Sequence, residues 1–225
     1  MISGTGFDSV DVQGALASAL PYGTVLFGID GVDGSGKTTF ADSLARYLRG
    51  TGRSVIRIGL DDFHNPRSVR YRRGRTSPEG FWLDSYDYER FREWVVEPLS
   101  LGGNGRIRTA CHNVETDRRI SPAEVEAPPD CVVIVDGMFL HRAELDGVWA
   151  RSVFLDVPFA ETARRMASRD GSPPDPDHSS LRRYVNGQRL YIAERDPARK
   201  AAFVVDNSDF HRPRLINADS VSYRR

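Results

Sequence analysis

Hydrophobic residues along this chain fall into short runs separated by amphipathic stretches. Apolar runs cover residues 25–29, 55–60, 131–135, 153–157 and 203–205. They are rich in Val, Ile, Leu and Phe and lack strict in–out alternation, as expected of strands buried on both faces. Helical spacing is predicted near 12–20, 38–48, 88–96, 159–168 and 181–195. In the second of these, Phe40, Leu44, Tyr47 and Leu48 recur at three- and four-residue steps, and Gly50 and Gly52 break the pattern. Strand and helix patterns therefore alternate, which predicts βαβ units and an α/β fold with a mostly parallel sheet covered on both faces. Residues 106–111 add a candidate strand.

Two segments depart from the pattern. Residues 63–84 are polar, arginine-rich and punctuated by Pro66, Gly74, Pro78 and Gly80. Residues 170–180 hold Gly171, Pro173, Pro174 and Pro176, and read as an exposed loop. Both are candidates for segments that close over substrates. The 225 residues suit one domain (1–225) with a lid at about 170–180 and an acceptor-site insertion at about 63–84.

Composition narrows the partners. The formal net charge is zero, so no global field favours nucleic acid or a membrane. No apolar stretch approaches the roughly 18 residues of a membrane span. Residues 1–11 lack a basic start followed by an apolar core, so no signal peptide is expected. Cys111 and Cys131 give neither a disulfide framework nor metal-ligand spacing. The expectation is a soluble cytoplasmic protein.

Chemistry concentrates where the first strand ends. The octet Gly31-Val32-Asp33-Gly34-Ser35-Gly36-Lys37-Thr38 matches the phosphate-binding pattern G-x-x-x-x-G-K-S/T. The chain has only two lysines among 31 basic residues, and one is Lys37. A compact ammonium is retained where a planar guanidinium would fit differently. A strand precedes the octet and a helix follows it, so backbone N–H groups can converge on a triphosphate at the helix's positive end. Gly31, Asp33, Gly34, Ser35, Gly36, Lys37, Thr38 and Thr39 are the expected nucleotide-binding residues. In this motif Lys37 serves the β- and γ-phosphates, and the Thr38 hydroxyl serves Mg²⁺.

Acids sit at two further strand ends. The run 55–60 leads into Asp61-Asp62-Phe63-His64, and ligands in open parallel sheets bind beyond such ends. Asp61 is the candidate base for an acceptor hydroxyl. The alternative is that Asp61 or Asp62 caps the next element or faces solvent. The run 131–135 ends in Asp136-Gly137, the common form of a second NTP-binding element that places Mg²⁺.

Arginines cluster twice. Residues 67–75 carry five arginines in nine positions, including Arg67 and Arg72. They read as a solvated loop with one or two functional members, as a grip on substrate phosphate, or as a nucleic-acid patch, which the zero net charge opposes. Arg164, Arg165 and Arg169 precede the Pro-rich loop, and Arg169 is the candidate phosphate contact. His64 and His112 are candidates for lining an acceptor site. His141, His178 and His211 read as surface or satisfied core residues.

With G-V-D-G-S-G-K-T, D-D-F-H and V-V-I-V-D-G-M-F-L in place, the chain resembles the uridine kinase and phosphoribulokinase family of small-molecule kinases across about residues 20–212. R-S-V-R-Y-R-R-G-R, S-P-E-G-F and V-F-L-D-V-P-F look like a bacterial uridine kinase-like branch. The resemblance implies a P-loop NTPase three-layer sandwich of the nucleoside/nucleotide-kinase type. It assigns the catalytic carboxylate to Asp61 and the metal-placing acid to Asp136. It implies ATP and Mg²⁺ as cofactors. Lys37 and Arg169 are expected on the phosphates, and Asp62, His64, Arg67, Arg72 and His112 around a small-molecule acceptor. The nucleoside-binding tyrosine of typical uridine kinases falls near His112-Asn113 here. The expected reaction is ATP-dependent phosphorylation of the 5′-hydroxyl of uridine or cytidine. Alternatives are another acceptor (thymidylate, pantothenate or a sugar phosphate), a non-catalytic ATP-binding regulator, or an RNA-directed ATPase. No nucleic-acid or membrane partner is expected, and a homo-oligomer is an option.

Overall fold

The structure is a computed structural model that describes residues 11–224. The signal-peptide reading rests mainly on residues 1–10, outside the described residues. Six strands form one sheet: β1 (Val25–Gly31), β2 (Val55–Gly59), β3 (Val132–Gly137), β4 (Arg151–Asp156), β5 (Phe203–Asp206) and β6 (Arg214–Ile216). Their order is β6-β5-β4-β1-β3-β2. All neighbours are parallel except the β5–β6 edge pair.

Alternate residues of the central strands feed two cores, one on each face. Phe27, Ile29, Val132 and Ile134 pack with Phe40, Leu44 and Leu48. Leu26, Val133 and Val135 pack with Phe63, Phe81, Phe91 and Phe139 on the other face. Burial of both faces is why these strands read as continuous apolar runs. The layered α/β architecture is the predicted one.

Register brings the chemistry together. Asp30 pairs with Gly137, and Asp136 pairs with Gly59. The ends of β1, β3 and β2 therefore share one level. β1 lies between β3 and β4, so the crevice at its carboxyl end is the expected ligand site.

The main helices are α1 (Val12–Ser18), α2 (Lys37–Gly50), α3 (Pro78–Asp84), α4 (Phe159–Asp170) and α5 (Arg182–Arg195). Helix α3 lies within the expected polar loop. Ser77 caps it by accepting from the Gly80 N–H, and Pro78 occupies its first turn. Gly187 of α5 permits the close approach of α3, because a Cβ there would stand 2.8 Å from the Pro78 carbonyl oxygen.

The arginine segment is folded rather than loose. Arg70 Nε donates to the Asn65 carbonyl at 2.8 Å. Arg183 of α5 donates to the carbonyls of Arg70, Gly74 and Arg75 and stacks 4.8 Å from the Tyr71 ring centroid. The candidate strand at 106–111 does not join the sheet. Only Arg106–Ile107 is extended, and it pairs with Val125–Glu126 in a separate ribbon.

Helix α5 also supports the loop after β1. Tyr191 donates its phenol hydrogen to Asp30 Oδ2, and Gln188 Oε1 accepts from the Asp33 N–H at 2.6 Å. Asp30 is fully buried. Its Oδ1 accepts from the Gly31 N–H, and His141 Nδ1 stands 2.8 Å from Oδ2. His141 Nε2 pairs with Ser152 Oγ at 2.9 Å. His141 is thus a satisfied core residue. Tyr191→Phe leaves part of this buried carboxylate unsatisfied. A loss of about 1–3 kcal/mol in stability is expected by urea unfolding.

Candidate active site

The loop from Gly31 to Thr38 forms one wall of a cleft of about 800 Å³. Gly34 (φ +74°) and Gly36 (φ +88°) adopt left-handed backbone. A Cβ at Gly34 would meet the Thr162 carbonyl oxygen at 2.8 Å, and one at Gly36 would meet Phe210 at 2.3 Å. The left-handed backbone favours glycine at both, and at Gly34 the fixed Thr162 carbonyl leaves no room for a Cβ either. Gly36 is the N-cap of α2, so the loop opens onto the positive end of a 14-residue helix. Lys37 Nζ donates to the Val32 carbonyl at 2.9 Å, and Asn207 Nδ2 donates to the Ser35 carbonyl at 2.7 Å.

The cleft gathers Asp33, Gly34, Gly36, Lys37, Thr38, Thr39, Asp61, Asp136 and Arg169. Gly31 and Ser35 are buried in the loop's frame. Thr38 Oγ1 donates to Asp136 Oδ2 at 2.8 Å. This pair of hard oxygen donors at the loop's head suits Mg²⁺, which takes one or two protein oxygens and completes its shell with phosphate and water. Among the described residues, no group of three or more His, Cys, Asp or Glu is arranged to hold a metal by itself.

Asp61 follows β2 and faces the cleft. Tyr86 donates its hydroxyl hydrogen to Asp61 Oδ1 at 2.7 Å. Burial, then the charge of Asp61, pushes the Tyr86 phenol well above its usual pKa, so it stays a donor. Asp62 does not line the cleft. Burial, then the charges of Asp61 and Asp136, raises its pKa. Its carbonyl accepts from the Cys111 N–H at 2.9 Å, which anchors the segment bearing His112.

His64 turns away from the cleft toward a smaller cavity of about 270 Å³, shared with Asp87, Arg90, Trp94 and His112. His64 Nδ1 stands 2.6 Å from the Asp61 carbonyl oxygen, and burial lowers its pKa. His112 is 2% exposed, and neither ring nitrogen makes a hydrogen bond, although Nε2 lies 3.2 Å from Asp117 Oδ1.

Arg67 and Arg72 line neither cavity, which departs from their expected place at the acceptor. Arg72 joins Arg73 on the buried carboxylate of Asp84. Arg67 donates its backbone N–H to Asp117 and its guanidinium to the Glu115 carbonyl. Arg169 pairs with Asp170 at the cleft's rim. Arg165 also lines the cleft, donating to the carbonyls of Asn207 and Ser208 and lying 3.8 Å from the Phe210 ring centroid.

Three site residues escaped the sequence reading: Arg57, Tyr86 and Asp87. The visible signal for Arg57 was a lone charge inside an apolar strand. Tyr86 and Asp87 carried no pattern of their own.

The fold and this cleft define a P-loop kinase. No protein-family model matches the chain. The chain is 32% identical over 153 residues to human nicotinamide riboside kinase 1, covering 68% of each protein. It is 33% identical to the mouse enzyme of that name, covering 67% of this chain and 69% of the relative. A solved structure of a possible uridine kinase from Bacillus stearothermophilus shares the fold. Its TM-score is 0.68 at 23% identity, over 86% of this chain and 94% of that one. The chain belongs to the uridine kinase-like family of P-loop kinases and is an ATP-dependent small-molecule kinase. No helix among the described residues is long and apolar enough to cross a membrane.

Proposed function

We propose that this kinase transfers the γ-phosphoryl group of ATP to the 5′-hydroxyl of a ribonucleoside, with uridine and cytidine as the first acceptors to test. The observation that carries the reading is Asp61. It stands at the tip of β2, in the same cleft as the phosphate loop, and joins through His64 to a second cavity holding Asp87. Lys37 and the amides of residues 34–38 hold the β- and γ-phosphates. Thr38 and Asp136 hold Mg²⁺, which neutralises phosphate charge when bound. Asp61 orients the hydroxyl and takes its proton as the new O–P bond forms and ADP leaves. Arg169, in the last turn of α4 just before the lid at about 170–180, closes over the phosphates. Residues 63–84 contribute a wall of the acceptor pocket, where His64, His112 and Asp87 offer polar contacts. Names of the relatives add nicotinamide riboside as a third candidate acceptor. In this reading the chain is one domain.

A coupled ADP-release assay tests this across uridine, cytidine, nicotinamide riboside, thymidylate, pantothenate and sugar phosphates. ADP should form with at least one ribonucleoside and stay at background without acceptor. Background release with every nucleoside, or turnover confined to a non-nucleoside, defeats the proposal.

A further inference from the structure

We infer that Arg57 is a positioning residue that makes divalent-metal binding at Asp136 depend on the nucleotide, an inference that rests on the kinase reading above. Arg57 is a charged residue in an otherwise apolar strand. Its side chain is 19% exposed and lies in the cleft wall beside Gly59, Asp61 and Asp136. Nη2 donates to Asp136 Oδ1 at 2.5 Å, and Nη1 donates to Asp42 of α2. Nε is buried without a hydrogen-bond partner. The guanidinium is thus clamped between α2 and β3. Asp136, itself 8% exposed, is held from both sides, with Arg57 on Oδ1 and the Thr38 hydroxyl on Oδ2.

Two effects follow. The clamp fixes the carboxylate so that only Oδ2 faces the head of the phosphate loop. It also places a permanent positive charge next to the acid that would receive a divalent ion. A lone ion meets a carboxylate whose charge is already countered. An ion arriving with a triphosphate brings most of its own oxygen ligands and is little affected. Arg57 therefore suppresses metal binding by the nucleotide-free protein and leaves binding of the metal–nucleotide complex intact.

The test is Mn²⁺ binding to the nucleotide-free protein, followed by electron paramagnetic resonance. Arg57→Met removes the charge and keeps aliphatic bulk, and Mn²⁺ affinity should rise roughly tenfold or more. Arg57→Lys keeps the charge but not the two-pronged clamp, so Mn²⁺ affinity should rise less than in Arg57→Met. Asp42 lies outside the cleft and is 63% exposed. Asp42→Asn removes the second carboxylate on Arg57, leaves the guanidinium charge to Asp136 alone, and should lower Mn²⁺ affinity by a smaller factor. Unchanged or weaker Mn²⁺ binding in folded Arg57→Met overturns the inference. Should that variant fail to fold in thermal unfolding, unchanged or tighter Mn²⁺ binding in Asp42→Asn does so instead. The outcome separates from the kinase reading, because the titration needs no turnover, whereas that reading fails on absent ADP release by the wild type.

Discussion

Asp61→Asn lowers turnover by about 10²–10⁴ while ATP affinity stays within about twofold of the wild type. The amide preserves shape and still accepts the Tyr86 hydroxyl hydrogen, made at 2.7 Å in the parent. It cannot take a proton from the acceptor. In the proposed reading the phosphates are held elsewhere in the cleft, by the loop and Lys37, so the loss should fall on kcat. Steady-state ADP release and calorimetric ATP titration separate the two terms. Near-normal turnover would remove Asp61 from the base role and direct attention to its neighbour Asp62.

Lys37→Ala is the second large effect, a fall in kcat of about 10²–10³ with weakened ATP binding as well. The ammonium reaches the Val32 carbonyl of its own loop at 2.9 Å, so it already sits over the anion cradle. Its removal takes a preorganised charge from where negative charge spreads during transfer. Lys37→Arg should not restore activity, since a planar fork does not reproduce a point charge. The same assay and titration report both terms. An Ala variant with unaltered kcat would mean that the phosphates lie away from this loop.

Much of this architecture was legible because its determinants are local. Doubly buried strands write continuous apolar runs, and β1 to β5 appear where such runs were read. The phosphate loop is eight consecutive residues, and Asp61 and Asp136 announce themselves by ending strands. What escaped depends on pairing across the chain. Arg57 gains its meaning only because β2 lies in register with β3, so that Arg57 sits opposite Ile134 and reaches the carboxylate of Asp136. Arg72 was read as an acceptor contact because nothing local reveals that Asp84, buried by the packing of α3, claims it. Helix α3 spans seven residues between turn formers, too short for periodicity to show. The edge strand β6 has three residues, too few to alternate visibly. Residues 106–111 carry strand chemistry, but only Arg106–Ile107 pairs, and in a ribbon apart from the main sheet.

Helix α5 has a consequence for redesign. Its Arg183 secures the arginine segment at residues 70–75, whereas Gln188 and Tyr191 secure the loop after β1 that is proposed to receive the phosphate donor. The seam between what is phosphorylated and what supplies the phosphate thus runs along one continuous rod. A graft of the arginine segment from a homologue would therefore have to bring carbonyl partners for Arg183 and leave Gln188 and Tyr191 of the rod untouched.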